Sequence, residues 1–263
     1  RGTATRVASH ATRIAAAAVA AALAALAAAV ATLATRVATF ATLTTVAAAA
    51  ADAPGTSVVS DSAGLTSALA NPDVGHIVLA PGTYALSAEL SITRSVVLEA
   101  AAAGSVVLDA QASSSSDRRV LSINPGSSGV VLLIKLGITG GYSFGHGGGG
   151  VYVESGTVSI INSQVYSNAA YRGGGVFVIG GAVSIVSSQI YSNSATSGGG
   201  VSVERGTVAI VSSQIYSNSY LNVNVNYYGT ACSFATTLTD VDGKLNLPGT
   251  ATRVASHATR IAA

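Results

Sequence analysis

Residues 148–168 read GGGVYVESGTVSIINSQVYSN, residues 173–193 read GGGVFVIGGAVSIVSSQIYSN, and residues 198–218 read GGGVSVERGTVAIVSSQIYSN. The offset is 25 residues each time. A period of this length indicates a solenoid, in which each unit buries its apolar face only by stacking on its neighbours. Within a unit the apolar residues alternate with period two, the signature of strands. Val151, Val153, Val158 and Ile160 recur as Val176, Val178, Val183 and Ile185, then as Val201, Val203, Val208 and Ile210. The residues between them change freely: Tyr152, Phe177 and Ser202 share one position, and Glu154, Ile179 and Glu204 another. The pattern predicts a constant inward face and a tolerant outward one.

Each coil is expected to hold three short strands joined by tight bends. Glycines at 148–150 and 156 suit sharp backbone turns, and Asn162, Ser187 and Ser212 suit a bend between two apolar strands. Stacking then places like over like at about 4.8 Å. Asn168, Asn193 and Asn218 are expected to form an amide ladder. Gln164, Gln189 and Gln214 form a second row, and Tyr166, Tyr191 and Tyr216 a third, exposed one.

Upstream, DSAGLTSALANPDVGHIVLAPGTY (61–84) predicts a short helix capped by Asp61 or Ser62, stopped at Asn71-Pro72, then a strand at 76–79 and a turn at Pro81-Gly82. Further β runs follow at 90–92, 96–99, 106–109, 120–123 and 130–134. The chain therefore divides into an Ala-rich segment (1–53), a β-solenoid with an N-terminal capping helix (54–228) and an irregular tail (229–263).

The Ala-rich segment admits three readings. It is a secretory leader, with Arg1, Arg6 and Arg13 as its basic start. Alternatively it is a membrane-associated or linker helix, since residues 14–35 carry no charge over a length that spans a bilayer. Or it is low-complexity sequence without a fold. Residues 2–16 recur letter for letter at 249–263. This points to one unit of a longer array, or to an assembly or translation artefact. The chain contains no Met, as expected of a fragment, a processed product or a frame without its own start.

Composition narrows the function classes. Only 9% of the chain is charged and the net charge is +2, which leaves no basic surface for nucleic acid. A single cysteine, Cys232, makes no disulfide framework and no zinc site, and reads as a packed small residue. No metal or cofactor is expected. Asp240-Val-Asp242-Gly243 lacks the later ligands of a calcium loop and reads as a turn.

The stretch from Leu65 to Ser219 resembles the right-handed parallel β-helix proteins of the pectin-lyase-like superfamily. LTSALANPDVGHIVLAPGTY is similar to the start of such domains, a capping helix followed by a first strand and a PGTY-like turn. The GGGV tetrapeptides at 148–151, 173–176 and 198–201, with V-Y-S-N at 165–168 and I-Y-S-N at 190–193 and 215–218, further resemble the repeats of polymorphic outer-membrane proteins. The resemblance implies an all-β, right-handed, single-stranded parallel β-helix of about 25-residue coils. It also implies a secreted or cell-surface protein, with a polysaccharide or cell-wall glycan as partner.

Enzymes of that superfamily use clustered aspartates, or calcium-binding acids with an arginine. None of the seven aspartates (52, 61, 73, 109, 117, 240 and 242) falls in the three regular coils. The remaining catalytic candidates are Glu154 and Glu204, two coils or roughly 9–10 Å apart on the outward face, and His146 in GHGGGG. Against a catalytic role, both glutamates read equally as solvated repeat positions. Asp117-Arg118-Arg119 is a charged bend or a contact for a sugar acid. For binding, Tyr152 and Phe177 on one face and the row Tyr166, Tyr191 and Tyr216 on another are candidates to stack on sugar rings. The expected function is a non-catalytic solenoid for adhesion, wall structure or glycan binding. The alternative is a polysaccharide lyase or hydrolase whose site lies in diverged or missing coils.

Overall fold

The computed structural model describes residues 55–221, 223–225, 231–235, 245–246 and 253–254. The readings of residues 1–53, including the candidate membrane stretch 14–35, and of Asp240 and Asp242 lie outside them. These residues form a parallel β-solenoid, and no helix among them is long and apolar enough to cross a membrane.

The coil begins at Thr56–Val59, an edge strand, and at helix α1 (Ser62–Ala70). Asp61 caps α1, its side chain accepting from the Gly64 N–H at 2.7 Å. Leu65 and Ala68 are buried against the first coil. Arg94 closes the other end of α1. Its guanidinium donates to the carbonyls of Ala68, Leu69 and Asn71, at the end of the helix where intrahelical donors run out. Tyr84 of the PGTY turn is buried, and its hydroxyl donates to Val59 O at 2.8 Å.

The strands pair in parallel and in register with the repeat. The first sheet pairs Val158 with Val183 and Val183 with Val208. The second pairs Val151 with Val176 and Val176 with Val201. The third pairs Tyr166 with Tyr191 and Tyr191 with Tyr216. All the recurrent aliphatic residues point inward and are buried. Parallel pairing continues beyond the regular coils, since Ala231–Ala235 adds to Thr207–Val211 and Leu245–Asn246 adds to Val223–Val225.

The regular coils contain a fourth strand where three were expected: Tyr142–Ser143, Ala169–Arg172 and Ser194–Ser197 stack as their own sheet. Their inward residues are Ser143, Ala170 and Ala195. Side chains this small leave no hydrophobic pulse in the sequence.

Two bends per coil use left-handed backbone at residues other than glycine. Asn162, Ser187 and Ser212 lie at φ 50, 49 and 49°, and Ser167, Ser192 and Ser217 at φ 54, 54 and 52°. The residue after each bend turns inward and bonds to the next coil. Asn168 N–H donates to Asn193 Oδ1 at 3.0 Å, and Asn193 N–H to Asn218 Oδ1 at 2.9 Å. This is the expected amide ladder. A second ladder was not anticipated: Ser163 N–H donates to Ser188 Oγ at 3.1 Å, and Ser188 N–H to Ser213 Oγ at 3.0 Å. Glycine is required where coils approach closely. A Cβ on Gly175 would lie 2.6 Å from Gly200 O and 3.0 Å from Asn193 Nδ2.

Candidate functional site

The third sheet carries two outward rows. Gln164, Gln189 and Gln214 stand beside Tyr166, Tyr191 and Tyr216, each residue in register with its copy. Strand alternation places both rows outside because Val165, Ile190 and Ile215 between them are fully buried. The tyrosine rings stack on one another. Centroids are 5.3 Å apart in both pairs, with interplanar angles of 6° and 8°. Both faces of Tyr191 are therefore occupied by its neighbours, and the row presents ring edges and hydroxyls to its surroundings. Tyr191 Oη donates to Gln164 Oε1 at 3.2 Å. Burial, reinforced by the flanking Tyr166 and Tyr216, raises the Tyr191 phenol above its ordinary value and keeps it protonated. The strip is a ladder of uncharged donors and acceptors.

The second aromatic candidate differs from expectation. Tyr152 and Phe177 do share a row, with centroids 6.0 Å apart. Phe177 is only 3% exposed, however, and Ser202 above it 0%. The glycine runs that lead into these strands pack on this face. A Cβ on Gly173 would lie 2.8 Å from Phe177 Cβ, and one on Gly147 would lie 2.9 Å from Phe177 Cδ1. Tyr152 is half-buried under the Arg119 guanidinium, 4.2 Å from its ring centroid. Phe177 is interior packing, and Arg119 covers one face of the Tyr152 ring, so the two rings do not form one open platform.

The charged candidates are dispersed. Glu154 is exposed, and half-buried Ile179 occupies the coil between it and Glu204. Glu204 is paired with Arg172 at 2.9 Å. His146 is exposed in the loop after Tyr142–Ser143. The Asp117-Arg118-Arg119 bend is tied into the fold: Asp117 Oδ2 accepts from the Phe144 N–H at 3.1 Å, Arg118 donates to Ser87 O, and Arg119 donates to Gly147 O at 2.9 Å and pairs with Glu89 at 3.3 Å. No sequence signal marks the Arg119–Tyr152 stack, because the two residues are one coil apart and in different motifs. Among the described residues no three His, Cys, Asp or Glu side chains gather as a metal site.

Comparison with family models, curated proteins and solved structures yields no match.

Proposed function

We propose that this chain is a non-catalytic β-solenoid of the pectin-lyase-like kind, secreted or displayed at the cell surface, serving adhesion or wall structure by holding a polysaccharide. The observation that carries this reading is the Tyr–Gln strip: two uncharged rows in register over three coils. Repeated hydroxyls and amides at a fixed interval match a polymer that presents its own hydroxyls at a fixed interval. Contact along the strip is by ring edges, phenol hydroxyls and amides, since both faces of Tyr191 and one face each of Tyr166 and Tyr216 are taken up by stacking. The dispersal of the carboxylates supports the non-catalytic side: Glu204 is taken up by Arg172 at 2.9 Å, and Ile179 stands in the coil between it and Glu154.

Co-sedimentation with a panel of insoluble plant, fungal and bacterial wall polysaccharides tests the reading. At least one should retain the chain, and Gln189→Ala with Tyr191→Ala should release it while Phe144→Ala, outside the strip, does not. Retention by none of them overturns the binding role. Release of reducing ends or unsaturated uronate, abolished by Glu154→Gln, overturns the non-catalytic role in favour of a lyase or hydrolase.

A further inference from the structure

We propose that the tyrosine ladder is a site of oxidative cross-linking, at which neighbouring coils become joined by carbon–carbon bonds between Tyr166, Tyr191 and Tyr216. The inference stands independently of glycan binding. It rests on two observations. The first is geometric: the three rings are stacked in register, 5.3 Å between centroids and within 8° of parallel, on strands locked by backbone pairing. Stacked rings present the π-orbitals of their ortho carbons to each other, the approach by which two phenoxyl radicals couple. The second is compositional. The chain has ten tyrosines but no Met, no Trp and one Cys. The residues that ordinarily intercept oxidants are nearly absent, so a one-electron oxidant acts on tyrosine.

The co-reactant is hydrogen peroxide with a haem peroxidase. Each of two phenols gives up one electron and its hydroxyl proton. The two radicals form one bond between ring carbons ortho to the oxygens. The ortho hydrogens then move to the oxygens, restoring two aromatic phenols. Peroxide takes up the two electrons and two protons and leaves as two waters. The pair loses two hydrogen atoms in total. A ladder closed this way staples one coil to the next across the third sheet.

The sequence makes the product legible. Cleavage after Lys135, Arg172, Arg205 and Lys244 puts Tyr166, Tyr191 and Tyr216 in three different tryptic peptides, and Tyr191 is the sole tyrosine of peptide 173–205. The full chain is oxidised at low concentration with a haem peroxidase and peroxide, the monomer is isolated and digested, and the peptides are weighed. Free tyrosine in a parallel reaction confirms that the oxidant couples phenols. Peptide 173–205 should appear joined to 136–172 or 206–244, at their combined mass less two hydrogens. Tyr191→Phe should abolish that species, and Tyr220→Phe, at a tyrosine 67% exposed, should leave it. Oxidation in concentrated urea should suppress it. The proposal is overturned if peptide 173–205 is recovered unlinked from oxidised monomer, whether or not other tyrosines reacted. It is overturned equally if the linked species forms as readily in urea.

Discussion

The lower coils and the regular coils solve the same stacking problem by different means. At one bend position the inward column runs Val106, Leu136, Ser163, Ser188, Ser213. Below, it is aliphatic and buried; above, it is a hydroxyl ladder, and the lowest hydroxyl accepts from the Leu136 N–H at 3.1 Å. The lower coils also vary in length, with His76 pairing with Val97 but Val96 with Val131. The difference follows from the forces used. Apolar burial is non-directional and tolerates a longer loop between strands. A hydrogen-bonded ladder requires each donor to meet its acceptor at every level, so the upper coils keep one length.

The largest test of this contrast is Asn193 against Leu98. Asn193 Oδ1 accepts from Asn168 N and Nδ2 at 3.0 and 3.1 Å, and Asn193 Nδ2 donates to Val165 O and Asn218 Oδ1 at 2.9 and 3.0 Å. Asn193→Ala strands buried groups in both neighbouring coils, each worth roughly 1–3 kcal/mol, for a total of roughly 3–5 kcal/mol. Leu98→Ala costs a comparable amount, about 2–5 kcal/mol, by leaving a cavity. Changes that keep volume separate the two. Leu98→Met should cost under about 1.5 kcal/mol, whereas Asn193→Leu should be nearly as damaging as Asn193→Ala. Urea unfolding midpoints measure all four, and a well-tolerated Asn193→Leu would remove the distinction between the regions.

Gly175→Ala comes next. The new methyl group meets a backbone carbonyl of the next coil at 2.6 Å, and overpacking of this kind costs about 1–3 kcal/mol. Gly145→Ala is its counterpart, with nothing within 4 Å of the added carbon. The two should differ clearly in thermal midpoint. Ser188→Ala is milder. It leaves the Ser163 N–H without its acceptor and should cost about 1–2 kcal/mol by urea unfolding, while Ser187→Ala, one residue earlier and exposed, loses only a tolerant left-handed turn residue.

That pair of serines also shows where the sequence was readable and where it was not. Periodicity identified the solenoid, its inward valines and the amide ladder, because aliphatics at period two must be buried and an Asn repeated every 25 residues must stack on its copy. In Ser187-Ser188 two identical letters have opposite fates, one exposed with φ 49° and one buried in a ladder. The first coil held the missing clue. There the pair is Asn162-Ser163, and asparagine takes the left-handed position more readily than serine, which leaves the serine for the interior. The fourth sheet leaves no hydrophobic trace in the sequence because alanine and serine fill its inward sites. At the candidate site, the register of the tyrosine row was legible. Its consequence, that identical rings one strand apart occupy each other's faces, follows from strand spacing yet concerns contacts between coils that no single repeat contains. The burial of Phe177 depends on the path of a glycine loop and had no local signal.

The smallest expected effect concerns charge in the lower coils, where the regular coils use ladders instead. Glu99 lies on the outward face of the first sheet, 2.9 Å from Lys135 Nζ and 3.3 Å from His76 Nε2. The hydrogen bond from Lys135 holds the Glu99 carboxyl below its ordinary value; partial burial opposes this, and the charges of Lys135 and His76 add to the lowering. A carboxyl depressed in the folded state binds its proton more readily when unfolded. Its contribution is therefore complete above the unfolded value of about 4.3 and is lost as pH falls through the lower folded value. Glu99→Gln should remove that part of the acid-side decline in thermal midpoint, and Lys135→Gln should reduce it. Salt should weaken the effect because the pair is partly exposed. Parallel curves for the parent chain and Glu99→Gln across this window would show that the lower coils owe nothing measurable to this ion pair.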